Sequence, residues 1–399
     1  MRAQLTALAL ICLTTGPSAQ VARKQFVRPP APTTPYSLAI EAGGVIYVAG
    51  HLPTNAQGAL VEGDITVQAQ QVFSNLQRVL EQAGSSLSQV VSVTVMLQNA
   101  SDFAALDRVY AEQFMADPPA RTTIIGDMVL PGALLEIAVT AVPAGVARTV
   151  ILPEGWQKPT SPYSYAIKSG DTLWSSGLVA RNGRTNTQVT GDVPTQTTTI
   201  MTNLGEILEA AGMGYGDVVQ GRVALKDMTN FQAMNEAYRV TWDADRPARV
   251  SCQASPPGTY DVEITFVAIK GASPREVIIP NLPDGSPGSA GQNFSPAIRV
   301  GNRLFISGTT GTNDGNRDDM EAQTVETLAR LGRSLEAAGF DFGDVVASDV
   351  FITDVGRFGN MNTGYRPRFQ SDPPVRATVG VDRLAGQTAL VEIMLMAVK

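Results

Sequence analysis

Three arginine residues recur at nearly equal intervals along the 399-residue chain, and one glutamate follows each of them. The intervals are 127 and 128 residues, and each arginine ends a Pro-x-Arg segment. These arginines are Arg121, Arg249 and Arg376. The glutamates, 14 to 16 residues further on, are Glu136, Glu263 and Glu392. A guanidinium keeps its charge and can donate two parallel hydrogen bonds to a carboxylate, so each arginine is suited to binding a small acid.

The glutamates lie in apolar stretches that are typical of strands, such as Leu135-Glu136-Ile137. Apolar surroundings disfavour the charged form of a carboxyl group, which can then accept and return a proton near neutral pH. The structural alternative is an ion pair between each arginine and its glutamate across neighbouring strands. Repetition does not decide between the two interpretations, because repeats also inherit structural pairs.

The spacing predicts three similar domains. Length alone favours two to four domains, and an interval of about 127 residues is enough for one small core. A basic residue followed by an apolar lead-in opens each unit, at Arg23, Arg148 and Arg275. We therefore expect repeat 1 to span residues 23–147, repeat 2 to span 148–274 and repeat 3 to span 275–399.

Each repeat has the pattern of a small α+β domain. Two short strands meet at a glycine turn, and an amphipathic helix follows; in repeat 1 its apolar face runs from Val72 to Ala83. Gly84 comes next and suits a left-handed helix cap. A valine-rich strand, a second helix, the arginine strand and the glutamate strand complete the order ββαβαββ, with both helices on one sheet face.

The sheet face away from the helices is also expected to be apolar. We assign to it Ile124, Leu135, Ile137 and Val139. An apolar face of this size must be covered. Three copies in one chain can cover one another, so we expect a closed pseudo-threefold ring, an intramolecular pseudo-trimer formed by one chain.

Composition limits the partners. The formal net charge is −7 and the isoelectric point is about 5.0, which argues against nucleic acid and anionic membrane as ligands. Residues 1–19 have the pattern of a secretory signal peptide, with Arg2, a short apolar run and small residues up to Ala19. We therefore expect a secreted or periplasmic protein that has no membrane contact after signal removal. Cys12 lies inside this segment, which leaves Cys252 without an intrachain disulfide partner.

Several short motifs, in the same order in each repeat, carry a resemblance to a known family. They are Pro35-Tyr36-Ser37, Pro162-Tyr163-Ser164, Ser176-Gly177, Ser307-Gly308, the Glu-Ala-Ala-Gly helix ends at 209–212 and 336–339, and the Pro-x-Arg and Val-Glu-Ile segments. Over nearly all of residues 23–399 the chain resembles the RidA/YjgF family of reactive-intermediate deaminases, which have a chorismate-mutase-like fold. Family members are typically homotrimers with sites between subunits, so the resemblance implies a trimer fused into one polypeptide.

The resemblance also implies a reaction: hydrolysis of a 2-imino acid, or its enamine tautomer, to a 2-oxo acid and ammonia. The arginine would bind the substrate carboxylate and the glutamate would position water, without a metal or an organic cofactor. The matching pocket residues are Tyr36, Tyr163, Phe294, Ser176, Ser307, Asn235 and Asn362. Repeat 1 departs from the family at Ala49 and Asp107, and the added carboxylate of Asp107 would repel an acid. We therefore expect sites formed by repeat 1 to be the weakest.

Two competing functions remain open at this stage. One is a noncatalytic module that binds small carboxylates or a partner protein in the same clefts. The other is ribonuclease activity, which the acidic charge disfavours. His51 is the single histidine, so three equivalent sites cannot use a Ser-His-Asp or Cys-His mechanism; we expect it in a loop or on the surface. Cys252 is expected to be a small core residue.

Overall fold

The computed structural model describes residues 24–29, 35–243 and 245–399. The predicted signal peptide, residues 1–19, lies outside these ranges, and secretion stays a prediction. Within the described ranges, no helix combines the length and the apolar character that crossing a membrane requires.

Each repeat forms one main sheet with two helices, and repeat 2 also has a separate two-stranded hairpin. Repeat 1 contains β1 Gln25–Val27, β2 Ala39–Ala42, β3 Val45–His51, α1 Ile65–Gln82, β4 Val90–Leu97, α2 Phe103–Gln113, β5 Ala120–Ile125, β6 Asp127–Met128 and β7 Leu135–Ala141. Repeat 2 contains β8 Thr149–Ile151, β9 Ala166–Ser169, β10 Thr172–Ser175, β11 Arg181–Asn182, β12 Thr187–Gln188, α3 Val193–Ala210, β13 Val218–Leu225, α4 Phe231–Arg239, β14 Ala248–Gln253 and β15 Val262–Ile269. Repeat 3 contains β16 Arg275–Ile278, β17 Ala297–Val300, β18 Arg303–Thr310, α5 Met320–Ala337, β19 Val345–Ile352, α6 Phe358–Tyr365, β20 Val375–Gly380, β21 Arg383–Leu384 and β22 Val391–Val398.

The strand order places the arginine strand last among the strands that each repeat contributes to its sheet. In repeat 1 the order is β1-β2-β3-β7-β4-β5, with β4 and β5 parallel and β4 and β7 antiparallel. The valine-rich strand β4 therefore separates the arginine strand β5 from the glutamate strand β7. An ion pair across adjacent strands within one repeat, the structural alternative above, is excluded by this order.

The long helices end as the sequence predicts, while their N-terminal caps were not among the predictions. An aspartate caps each N-terminus with its side chain; at α1, Asp64 Oδ1 accepts the Val67 N–H at 3.1 Å. Gly84 follows α1 with φ of 75°. In the other two repeats the equivalent glycines, Gly212 and Gly339, have φ of 72° and 77°. These left-handed conformations favour glycine because it has no Cβ.

One prediction about the sheet faces is wrong. Leu135, Ile137 and Val139 pack beneath the helices in the core of repeat 1, not on the opposite face. The reason is strand alternation: Glu136 faces the neighbouring repeat, so the residues on either side of it must face the helices. Ile124 does lie on the inter-repeat face, as expected.

The three sheets close into a ring because each arginine strand is covered by the next repeat. Strand β6 of repeat 1 pairs with β20 of repeat 3, and β21 of repeat 3 pairs with β14 of repeat 2. The edge of β5 in repeat 1 is covered by repeat 2, where the carbonyl of Ser255 accepts the Ile125 N–H at 2.9 Å. Coverage of every arginine strand removes three open sheet edges.

Two apolar clusters fill the space between the sheets, and residues from all three repeats contribute to both. The first includes Tyr47, Trp174 and Phe305 at equivalent positions. The second includes Cys252, which is buried as predicted. The expected pseudo-threefold ring is confirmed, and its apolar faces cover one another.

A charge pair breaks the threefold symmetry between the sheets. The fifth residues of β4, β13 and β19 are Thr94, Arg222 and Asp349, which line a common cavity. Arg222 donates from Nε and Nη2 to Asp349 Oδ2, at 2.9 and 2.7 Å. A homotrimer would place three identical residues here, whereas a fused chain can hold one cation and one anion.

We predict that Arg222→Ala lowers the free energy of unfolding by on the order of 1–3 kcal/mol, since it leaves a part-buried carboxylate without its charged donor. Urea unfolding followed by circular dichroism measures this. The control is Arg317→Ala, which removes a solvent-exposed pair with Asp314 and should have little effect. Equal effects of the two variants would contradict the structural role of the inter-repeat pair.

Candidate functional site

The arginine of one repeat and the glutamate of the next meet at each inter-repeat boundary. We call the resulting sites the first cleft (Arg121 with Glu263), the second cleft (Arg249 with Glu392) and the third cleft (Arg376 with Glu136). In the first and third clefts the carboxylate accepts a backbone N–H from the residue two positions after the arginine, Thr123 and Thr378 respectively. Both key residue types are at most 6% exposed in all three clefts.

A serine near the start of each repeat fixes the preceding arginine segment. The donors are Ser164, Ser295 and Ser37, and the acceptors are the carbonyl oxygens of Pro118, Arg246 and Pro373, at 2.6, 2.5 and 2.6 Å. The backbone N–H of the same serines donates to Pro119, Pro247 and Pro374, each at 3.1 Å. Sequence reasoning missed this role, although the serine follows the predicted pocket Tyr or Phe directly. These paired hydrogen bonds fix the position of each arginine segment relative to the next repeat.

Each guanidinium lies among three aromatic rings. A tyrosine of the second helix is nearest, with Arg Cζ 4.7–4.8 Å from the ring centroid; the three are Tyr110, Tyr238 and Tyr365. A phenylalanine of the same helix lies 5.4–5.8 Å away; these are Phe103, Phe231 and Phe358. The next repeat contributes the third ring at 5.4–5.9 Å, from the predicted Tyr163, Phe294 and Tyr36. These helix aromatics were not among the predicted pocket residues, yet they hold the cation by cation–π contact.

The buried arginines lack hydrogen-bond partners for part of their guanidinium. Arg249 donates from Nη2 to Asn235 Oδ1 at 2.6 Å, while its Nε and Nη1 have no partner among the described residues. Arg376 Nη1 is likewise buried without a partner in the described part of the chain. Burial lowers the pKa of both guanidinium groups because desolvation disfavours their charge. A buried cation with unused donors is costly unless an anion binds it.

The glutamates are buried and hold their protons at neutral pH. Desolvation raises the pKa of Glu136, Glu263 and Glu392 to about 8 in each case, against an ordinary value of 4.5. The neighbouring arginine opposes this shift without cancelling it. Oε2 of Glu392 is buried without a partner among the described residues, and it is therefore available to a ligand.

A glycine makes room for each glutamate. A Cβ on Gly50, Gly177 or Gly308 would lie 1.7, 1.6 or 2.2 Å from Oε1 of the glutamate in the same repeat. The sequence contained the signal, because the glycine follows the pocket serine in Ser176-Gly177 and Ser307-Gly308. The carboxyl group thus occupies the space that a side chain at the glycine position would fill.

The remaining predicted pocket residues differ between clefts. Ser307 Oγ accepts the Arg249 backbone N–H at 2.8 Å and donates to Ser295 O at 2.6 Å, so it holds the arginine strand. Ser176 Oγ is buried and has no partner among the described residues. Asn362 is half-buried, and its Oδ1 has no partner in the described ranges either. Asp107, at the position of Asn235, forms an ion pair with Arg121, with Nη1 to Oδ1 at 2.7 Å.

The departures from the family pattern fall one in each cleft. The first cleft has Asp107 in place of asparagine, the second has Phe294 in place of tyrosine, and the third has Ala49 in place of serine. Repeat 1 supplies two of these residues, but they face different neighbours. The two departures in repeat 1 therefore affect two different clefts, the first and the third. Of the two, only Asp107 changes the charge beside an arginine.

Neither Cys252 nor His51 belongs to a cleft. Burial raises the pKa of the Cys252 thiol, which disfavours a thiolate nucleophile. His51 was expected in a loop or on the surface, and this is wrong: it ends β3 and is buried, with Nδ1 2.8 Å from Ala49 O. Burial lowers its pKa, so the ring is neutral at pH 7.

The chain matches one family three times. The family model described as Endoribonuclease L-PSP covers residues 27–143, 156–270 and 286–399, and each match contains one arginine and one glutamate of the clefts. The chain therefore belongs to this family, which is the RidA/YjgF family that the motifs resemble, in three tandem copies. The predicted fold class, three chorismate-mutase-like α+β domains in one pseudo-trimer, is confirmed.

Individual relatives match one copy at a time. A RutC family protein of Pyrococcus horikoshii is 42% identical over 28% of this chain and 90% of its own length. A protein of Dermatophagoides farinae named 2-iminobutanoate/2-iminopropanoate deaminase is 38% identical over 24% of this chain and 75% of its own. A protein of Acinetobacter baylyi named 3-aminoacrylate deaminase RutC is 35% identical over 30% of this chain and 97% of its own. The family thus includes proteins named as imine and enamine deaminases.

We predict that Gly177→Ala destabilises the protein by about 1–3 kcal/mol, because the new Cβ would overlap the Glu263 carboxyl group. The midpoint of urea unfolding measures the change. Gly216→Ala is the matched control, since a Cβ there meets nothing within 4 Å. In addition, Glu263→Ala should relieve the defect when combined with Gly177→Ala. A defect that persists in the double variant would show that the glycine serves another purpose.

We also predict that stability falls as the pH rises from about 5 to about 9, because the glutamate pKa is higher in the folded chain than in the unfolded one. The stabilising contribution is fully present below pH 4.5 and is lost as the pH rises through about 8. Urea unfolding across this range measures it. The variant with Gln at positions 136, 263 and 392 should show a shallower slope; an identical slope would mean that these carboxyl groups do not titrate as described.

Proposed function

We propose that the chain catalyses the hydrolytic deamination of small 2-imino acids, or their enamine tautomers, to 2-oxo acids and ammonia. The observation that carries this proposal is a buried guanidinium with unused donors, facing a buried protonated carboxyl group across an inter-repeat cleft. Such a pair suits a small molecule that has an anionic carboxylate next to a basic nitrogen. The names of two family relatives support the same substrate class.

The guanidinium of Arg249 or Arg376 binds the substrate carboxylate through its unused N–H groups. This contact places the adjacent C=N carbon beside the glutamate. Because the guanidinium remains charged, it cannot exchange the proton that the reaction requires. Its role is therefore to hold the substrate in a reactive orientation.

The glutamate transfers the proton. In its protonated form it donates to the imine nitrogen, which makes the carbon more electrophilic. The resulting carboxylate accepts a proton from the attacking water as the C–O bond forms, and it returns that proton to the nitrogen. As the C–N bond then breaks, the new hydroxyl group becomes the carbonyl of the 2-oxo acid and gives its proton to the glutamate. Imine and water are consumed and 2-oxo acid and ammonia are released, with the glutamate protonated again. No metal or organic cofactor enters these steps.

Noncatalytic binding of carboxylates would use the same arginines, so an assay must separate it from turnover. We predict that Arg249→Ala and Arg376→Ala each remove about half of the accelerated imine loss, and that together they remove nearly all of it. An amino-acid oxidase generates the imine, and semicarbazide traps what remains. Arg184→Ala, at a solvent-exposed ion pair, is the control and should keep full activity.

Glu392→Gln combined with Glu136→Gln keeps the side-chain volume and removes the proton transfer. We expect this pair of changes to abolish turnover while binding of 2-oxobutanoate, the product that 2-iminobutanoate would give, is retained. Binding of 2-oxo acids by the unaltered chain without any acceleration of imine loss would overturn the proposed reaction and support a binding protein.

A further inference from the structure

The first cleft differs in charge from the other two at two positions. Asp107 stands where the second and third clefts have Asn235 and Asn362. Arg181, four residues after Gly177, stands where repeats 1 and 3 have Thr54 and Thr312. Arg181 lines the same cavity as Arg121, and Asp107 is bonded to Arg121. The two changes have opposite effects, because Asp107 neutralises the deep cation and Arg181 adds a second cation.

The deep cation of this cleft already has its anion. Arg121 Nη1 lies 2.7 Å from Asp107 Oδ1, with side chains 3% and 18% exposed. The equivalent bond in the second cleft joins Arg249 to a neutral amide. A carboxylate that entered the first cleft in the same way would meet a pair of zero net charge and the repulsion of Asp107, so it would bind more weakly.

Arg181 is held in a fixed orientation by its own hairpin. Its Nη1 donates to the backbone and side-chain oxygens of Asn186, at 2.6 and 3.0 Å, and its Cζ lies 5.9 Å from the Tyr260 ring centroid. Asn203 donates to its carbonyl at 2.7 Å. The hydrogen bonds that Arg181 donates within the described ranges all use Nη1, which leaves Nε and Nη2 for a ligand.

A cavity of about 250 Å³ connects the two arginines. Arg121, Tyr163 and Glu263 line it together with Arg181, Tyr260 and Asn186. The cavity is open to solvent. Arg181 is half-buried, whereas Arg121 is only 6% exposed, so Arg181 lies nearer the mouth.

We propose that the first cleft is a separate binding site for a longer monocarboxylate, whose carboxylate binds Arg181 at the mouth and whose neutral polar end, such as a primary amide, lies against the Arg121–Asp107 pair. The amide oxygen can accept a hydrogen bond from the Arg121 guanidinium, and the amide N–H can donate one to the Asp107 carboxylate. A neutral amide therefore suits a pair of zero net charge. The second and third clefts take short 2-oxo acids at the deep arginine. This assignment goes beyond the proposed deaminase activity and does not require turnover.

Isothermal titration calorimetry on the full chain tests the assignment, with 2-oxobutanoate and a series of unbranched acids that carry a terminal amide (succinamate, glutaramate and adipamate). We expect two sites for 2-oxobutanoate and one for an amide acid. Arg181→Thr, the residue of the other two repeats, should weaken amide-acid binding at least about tenfold, the loss expected for one charged hydrogen bond. The same variant should leave 2-oxobutanoate binding unchanged. Asp107→Asn, again the residue of the other repeats, should create a third 2-oxobutanoate site.

Three equal 2-oxobutanoate sites in the unaltered chain would overturn the proposal. The absence of amide-acid binding would also overturn it, and so would amide-acid binding that is the same in the Arg181→Thr variant. The imine assay distinguishes this failure from that of the deaminase, because both variants should keep the activity of the second and third clefts. Selective amide-acid binding without any deaminase activity would support the proposed binding site and contradict the proposed deaminase reaction.

Discussion

A buried guanidinium on the arginine strand of each repeat, whose site is completed only by groups of the next repeat, is the constraint on which the structure depends. The strand order separates the arginine from the glutamate of the same domain. The arginine's own domain supplies two aromatic rings, and the next domain brings the third ring, the serine and the glutamate. Desolvating a cation is costly, and the cost is offset by cation–π contacts in all three clefts and by one bond to Asn235 or Asp107 in two of them. An isolated repeat would leave the arginine strand an open edge and the site incomplete.

Fusion of three copies allows each boundary to differ while the fold is kept. The Arg222–Asp349 pair uses this freedom between the sheets, where a homotrimer would need three identical residues. The clefts also differ at their functional positions, since each departs from the family pattern at a different residue. The serine bonds and the glycine beneath each glutamate are the same in all three clefts, because they set geometry and not selectivity.

The repeat architecture and the local ends of the helices could be predicted from the sequence. The interval between Arg121 and Arg249 predicted the repeats, and Gly84 predicted the end of a helix because capping is a local interaction. Long-range pairing was not predictable in this way. Leu135 and Ile137 were assigned to the wrong sheet face, because alternation fixes only relative faces and the orientation depends on which neighbour Glu136 meets. Tyr110 was not predicted to belong to the site, since a helical pattern does not reveal a cation above the ring. The pairing of Asp107 with Arg121 required coordinates, as the two residues lie on different elements.

The central claim is that the unused N–H groups of the buried arginines bind the carboxylate of a small acid between repeats. A crystal structure of the full chain soaked with 2-oxobutanoate tests this most directly. We predict electron density for the acid in the second and third clefts, with its carboxylate within hydrogen-bond distance of Arg249 and Arg376 and its carbonyl carbon facing Glu392 and Glu136. Density that contacts neither arginine, or empty clefts at saturating acid, would contradict the account.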